Sequence, residues 1–121
     1  MSGEDRASPL PRGDWPGIAR RALRHIEARI ADPALSVAEV ATAVGCSRAT
    51  LYRAFTEHGT GVADLMRELR LRRASALLEQ GSMGVAEVAL ACGLVDARTL
   101  QRLCKARFGV SPTELTRRRH S

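Results

Sequence analysis

Apolar residues recur at helical spacing along most of the chain, and short polar or glycine-rich breaks divide the pattern into segments. Ile18, Ala22, Ile26 and Ile30 predict a helix from about Pro16 to Ala31, with Asp14 as its cap and Pro16 in its first turn. The stretch DPALS interrupts this helix. Ser36 followed by Glu39 then forms a capping box, while Leu35 and Val40 occupy the two positions of a hydrophobic staple, so a second helix opens at Val37. Its stripe is Val37, Val40, Ala41 and Val44, and Gly45 ends it because glycine adopts left-handed backbone without steric cost. Ser47 caps a third helix with Leu51 and Phe55 on one face. A short helix, a glycine turn and a crossing helix make the pattern of a helix-turn-helix.

The pentapeptide VAEVA occurs at Val37–Ala41 and again at Val85–Ala89, 48 positions on. Around the second copy, Met83 and Val88 match the staple, Gly84 takes the cap position, and Val85, Val88, Ala89 and Cys92 make a stripe before Gly93. Beyond that glycine the offset becomes 49, which aligns Asp96 with Ser47, Leu100 with Leu51, Arg102 with Arg53 and Cys104 with Phe55. The chain therefore encodes two helix-turn-helix units, the second with one extra residue in its turn. Between them Val62–Gln80 has neither Gly nor Pro and places Leu65, Met66, Leu69, Leu77 and Leu78 mostly along one side, a helix about 28 Å long at 1.5 Å per residue. Major-groove segments on one DNA face recur every ~34 Å, so a helix of that order suits two readers on successive grooves. Val110–Leu115 combines a staple, a serine cap, Pro at the first helical position and Glu at the third, and starts a final helix running into RRRHS. The predicted fold is all-α, with about seven helices. Residues 1–14 read as a disordered leader, 15–60 as the first helix-turn-helix subdomain, 61–80 as a linker helix, and 81–121 as the second subdomain with a basic tail.

Charge narrows the partner. Eighteen arginines and a single lysine, Lys105, stand against 13 acidic residues, for a net charge of +6, which favours a polyanion such as nucleic acid. No apolar run approaches the roughly 20 residues that span a bilayer, and the start lacks a signal-peptide core, so the chain reads as cytoplasmic. Cys46, Cys92 and Cys104 have no CxxC pairing and sit where small apolar side chains serve; they read as inert thiols, with a redox or metal sensor as the competing role. His25, His58 and His120 lack ligand spacing, so neither a metal nor another cofactor is expected. There is no nucleophile–base arrangement and no phosphate loop, so an enzyme is not expected.

Helix geometry selects the candidate contacts. With Leu51 and Phe55 buried, the first recognition helix turns Arg48, Ala49, Tyr52, Arg53 and Thr56 outward; with Leu100 and Cys104 buried, the second exposes Ala97, Arg98, Gln101, Arg102 and Lys105. Arg takes guanine O6 and N7 and Gln takes adenine N6 and N7, each pair contributing ~1–3 kcal/mol of discrimination. Arg48, Thr56, Ala97 and Lys105 are phosphate candidates. So are the backbone N–H groups at the helix starts Ser36, Gly84 and Ser111. Arg70 and Arg73 are expected to serve the fold by pairing with Glu68 or Glu39.

From about Leu35 to Arg117 the chain resembles the DNA-binding domain of the AraC/XylS family of bacterial transcription regulators. The resemblance rests on GCSRATLYRAF, RLRRASALL and above all GLVDARTLQRLCKARFGVSPTEL. It implies a seven-helix domain whose two units contact adjacent major-groove segments of an asymmetric promoter site, with Ala49, Tyr52, Arg53, Arg98, Gln101 and Arg102 at the base-contacting positions. RNA polymerase is an implied partner, and two reading heads in one chain remove the need for a dimer. Leu94 and Cys104 depart from the family's pattern, which carries aromatics there, and Gly59 and Gly61 flank Thr60 where it usually has one glycine. The second unit is therefore expected to pack less tightly. The competing function is a helix-turn-helix adaptor that binds RNA polymerase or another regulator, which would not require Arg98, Gln101 and Arg102 to cluster on one exposed face. Only 35 residues precede Ser36, fewer than an effector-binding domain of ordinary size needs. Either a stand-alone regulator or the C-terminal portion of a longer chain fits.

Overall fold

A computed structural model describes residues 17–120, with side chains through Arg118. The expected leader, the Asp14 cap and Pro16 lie outside the described residues. Seven helices and no strand occur within them: α1 Gly17–Ala28, α2 Val37–Val44, α3 Arg48–Thr56, α4 Val62–Gln80, α5 Val85–Ala91, α6 Ala97–Phe108 and α7 Pro112–His120. They fall into two compact units, one of residues 17–29 and Leu35–Leu69, the other of residues 30–34 and 70–120.

In the first unit α1 packs on α2 and α3, and α2 on α3. Ala22, Ile26, Val40, Leu51, Phe55 and Val62 are wholly buried, and Leu35 is buried with its staple partner Val40. α1 stops at Ala28, three residues before the end its apolar spacing predicts. The N–H of Arg29 is shared between the carbonyls of His25 and Ile26 at 3.2 Å each, Pro33 bars helical backbone at Asp32, and Asp32 accepts the Ala34 N–H at 2.9 Å in a local turn. Ile30, expected on the helix face, instead belongs to the second unit.

That second unit is built on Leu71, Ala74, Leu78, Val88, Ala89, Cys92, Leu94, Leu100, Cys104 and Leu115, with Met83 and Val110 packed against them as the staples require. Leu94 and Cys104, standing where the family's pattern has aromatics, are both buried. α4 has the predicted bounds, but its apolar stripe does not stay on one side. Val62, Leu65 and Met66 are buried in the first unit, and Leu71, Ala74 and Leu78 in the second. A helix advances 100° per residue, so the stripe changes phase after Leu69, each half meeting the core of its own unit.

Candidate nucleic-acid interface

Each recognition helix is set by the turn before it. In the first unit Gly45 closes α2 at φ 76° and ψ 36°, and the N–H of Cys46 reaches back to the Ala41 carbonyl at 3.0 Å. Ser47, in extended backbone, accepts the Thr50 N–H at 3.1 Å and donates its hydroxyl to Thr50 Oγ1 at 3.0 Å, which starts α3. The second unit repeats the closure. Gly93 lies at φ +77°, and the N–H of Leu94 reaches the Ala89 carbonyl at 2.9 Å, again five residues back. The extra residue is Val95, 77% exposed, followed by Asp96. Asp96 Oδ1 accepts both the N–H and the hydroxyl of Thr99 at 2.9 Å, starting α6. The Thr99 N–H, then its hydroxyl, hold the Asp96 carboxyl below the usual carboxylate range.

With Leu51 and Phe55 fully buried, α3 exposes Arg48, Ala49, Tyr52, Arg53 and Thr56. Thr56 donates its hydroxyl to the Tyr52 carbonyl at 2.8 Å, within its own helix. On α6, Leu100 and Cys104 are buried, Arg98, Gln101, Arg102 and Lys105 are exposed, and Ala97 is half-buried. The α6 face thus carries three cations and an amide, against two guanidinium groups and a phenol on α3. A face of exposed guanidinium and amide donors on a short rigid helix can hydrogen-bond base edges and phosphates.

The helix starts differ from one another. Ser36 and Ser111 accept the N–H groups of Glu39 and Glu114 at 3.1 and 3.2 Å. The expected box at Ser36 is only half made, because Glu39 turns away to take the His25 Nε2–H at 2.9 and 3.0 Å. At Gly84 the other half forms: its N–H donates to Glu87 at 3.0 Å, so that amide is engaged and a carboxylate stands beside it. The first copy of the pentapeptide uses a histidine that the second lacks.

Arg70 and Arg73 do serve the fold, but not through Glu68 or Glu39. Arg70 donates from Nε to the Ile30 carbonyl at 3.1 Å and from Nη2 to the Asp32 carbonyl at 2.8 Å, while Arg73 Nε donates to Ala91 at 3.0 Å. Ala91 ends α5, where a leftover carbonyl attracts a cation; Ile30 and Asp32 offer carbonyls of the loop after α1, and Glu39 is held by His25. Burial pushes the Arg70 pKa down, opposed by the Asp32 carboxylate. All three cysteines are free thiols; burial raises the pKa of Cys92 and, with Cys92 beside it, pushes Cys104 up to about 11. Among the described residues no group of His, Cys, Asp or Glu is placed to hold a metal ion, and no helix is long and apolar enough to cross a membrane.

Residues 40–118 match the family model described as a helix-turn-helix domain. The chain belongs to the AraC/XylS family. A solved AraC-type DNA-binding domain protein from Chromobacterium violaceum is 34% identical, with a TM-score of 0.75 over 84% of this chain and 91% of that one. The regulator GlxA of Rhizobium meliloti is 37% identical over 97 residues, 79% of this chain but 30% of GlxA. This AraC/XylS domain thus spans under a third of that relative's length. The fold is shared too with the DNA-binding domain of AdpA, solved in complex with a target DNA, at a TM-score of 0.74 and 24% identity over 84% of this chain and 90% of that one.

Proposed function

We propose that the protein is a sequence-specific, double-stranded-DNA-binding transcription regulator of the AraC/XylS type. The observation that carries this reading is the pair of capped recognition helices, each with an apolar side buried and a polar side exposed. Ala49, Tyr52 and Arg53 on α3, and Arg98, Gln101 and Arg102 on α6, read base edges in adjacent major-groove segments of an asymmetric promoter site. Arg98 and Arg102 favour guanine, and Gln101 adenine. Tyr52 and Ala49 meet a thymine methyl or the sugar–phosphate backbone.

Arg48 and Lys105 contact phosphates beside Ala97, joined by Thr56 when its hydroxyl turns from the Tyr52 carbonyl to a phosphate oxygen, with the starts of α2 and α7 at Ser36 and Ser111 as further anion sites. Gly84 is left out of this set, since its N–H already serves Glu87 and a phosphate there would meet that carboxylate. The protein acts in the cytoplasm as a monomer on DNA, with RNA polymerase as its partner. Support comes from the family membership, the relatives named as transcription regulators, and the AdpA domain bound to DNA.

Selection from a pool of random duplexes tests the reading. The expected winner is one asymmetric site of ~20 bp, two groove segments about one helical turn apart. Enrichment of no sequence, with weak binding at every salt concentration, would replace the reader with a protein-binding adaptor.

A further inference from the structure

The internal repeat reaches further back than its pentapeptide. Residues 20–27 read RRALRHIE and residues 72–79 read RRASALLE, 52 positions apart. The two stretches hold equivalent places. Ala22 and Ala74 are both wholly buried, as are Ile26 and Leu78, so each helix lays the same side on the core of its own unit. Each unit is therefore a three-helix repeat: an Arg-Arg-Ala helix, a supporting helix and a recognition helix.

Within that repeat the paired arginines both reach the end of a supporting helix, at carbonyls one register apart, since the repeat sets Val44 against Cys92 and Ala91 stands one residue before it. Arg21 donates from Nη2 to the carbonyl of Val44 at 3.3 Å, and Arg73 donates from Nε to the carbonyl of Ala91 at 3.0 Å. Val44 and Ala91 are the last helical residues of α2 and α5. The next residues in each case form the left-handed glycine turn, and three residues past Val44 or five past Ala91 stands the cap of the recognition helix. Both arginines are exposed. A guanidinium is well suited to it: a cation at a helix C-terminus meets both the unsatisfied carbonyl and the negative end of the helix dipole, and its planar fork loses less freedom per hydrogen bond than an ammonium does.

We infer that Arg21 and Arg73 are equivalent positioning residues that fix the end of each supporting helix, and through the glycine turn the direction in which its recognition helix is presented. The inference rests on the DNA-reading function proposed above. Neither residue needs to touch DNA. Arg21 acts on the face of Tyr52 and Arg53, and Arg73 on that of Arg98, Gln101 and Arg102.

The test uses the full chain with Arg21→Ala, Arg73→Ala and the corresponding lysine variants, each measured three ways: affinity for the selected site, affinity for an unrelated duplex, and exchange of the Cys46 and Leu94 amides that close the two turns. Loss of either arginine is expected to weaken the selected site by about tenfold, the order of one charged hydrogen bond, with unrelated-duplex affinity and salt slope unchanged. Exchange should quicken at Cys46 only in Arg21→Ala and at Leu94 only in Arg73→Ala, with partial recovery by lysine. If both affinities fall together and the salt slope drops by about 0.9, one phosphate contact has been lost and the positioning role is wrong. Unchanged exchange in both alanine variants likewise overturns it. If the wild-type chain prefers no sequence, the DNA reading fails by itself, and turn-specific exchange still upholds or overturns the role of the arginines. Should an alanine variant not fold, its lysine counterpart carries the comparison.

Discussion

At Gly93 two constraints coincide: a backbone φ of +77° and the carbonyl oxygen of Ile30, 2.7 Å from where a Cβ would stand. Gly45 shares the left-handed backbone, at φ +76°, but has open space around it. Gly45→Ala is therefore expected to cost about 1–2 kcal/mol, the price of left-handed backbone for an L-residue, and Gly93→Ala distinctly more, because backbone must move. Chemical denaturation of both variants checks the order; equal losses would mean that the Ile30 contact contributes nothing. Asp96 is the other residue with a measurable signature. Its pKa is depressed by the Thr99 N–H and hydroxyl, so its ionised form is favoured in the folded state. The stability it adds is present above the ordinary carboxylate pKa and is lost as pH falls through the depressed value. Asp96→Asn keeps a cap while removing the titration. It should flatten the acid limb of a stability–pH profile and leave the neutral region nearly unchanged.

Among the elements, the two copies of VAEVA show how one local sequence takes two hydrogen-bond patterns. In α1 His25 stands where α4 has Leu77, on the alignment that pairs Arg21 with Arg73. Glu39 is drawn across to His25; Glu87, with leucine at the matching position of the repeat, folds back onto the Gly84 N–H. His25→Leu is expected to release Glu39 to complete its box with the Ser36 N–H, at the loss of the tie between α1 and α2. Amide exchange at Ser36 should slow by several-fold while overall stability drops by about 1 kcal/mol, the usual worth of a partly exposed hydrogen bond. Faster exchange at Ser36 would show that the box does not form. The elements themselves were legible in advance: the turns at Gly45 and Gly93, the caps at Ser47, Asp96 and Ser111, and the outward faces of α3 and α6 all follow from spacing. The end of α1, which spacing placed three residues too far, lies where Asp32 and Pro33 override an apolar position at Ile30.

For the whole molecule, a surface whose charge rests on guanidinium groups should bind duplex DNA with strong salt dependence, log affinity falling by about 0.9 per neutralised phosphate. Charge changes then separate by role. Arg48→Ala or Lys105→Ala is expected to reduce the salt slope by about 1 and weaken all sequences alike, whereas Arg98→Ala or Arg102→Ala should cost ~1–3 kcal/mol on the selected site and relax preference at one position. Titrations on the selected and a scrambled duplex at several salt concentrations check both. A uniform loss from Arg98→Ala would move that residue from base reading to phosphate contact.

The sequence by itself determined what local physics decides: where helices start and, the end of α1 apart, where they stop, which glycines must be left-handed, which faces of the short helices are apolar, and that the helix-turn-helix occurs twice. These depend on residues within about five positions of one another, so the chain spells them out. Only the tertiary structure decided where the long-range partners lie. Arg70 takes carbonyls 38 and 40 positions away, Arg21 one 23 positions away, and Glu39 a histidine 14 positions away. The change of phase within α4 is of the same kind, because one continuous helix serves two cores. A side chain with several partners of matching charge goes to whichever the packed core brings nearest, and that proximity is a property of the fold rather than of any short stretch of sequence.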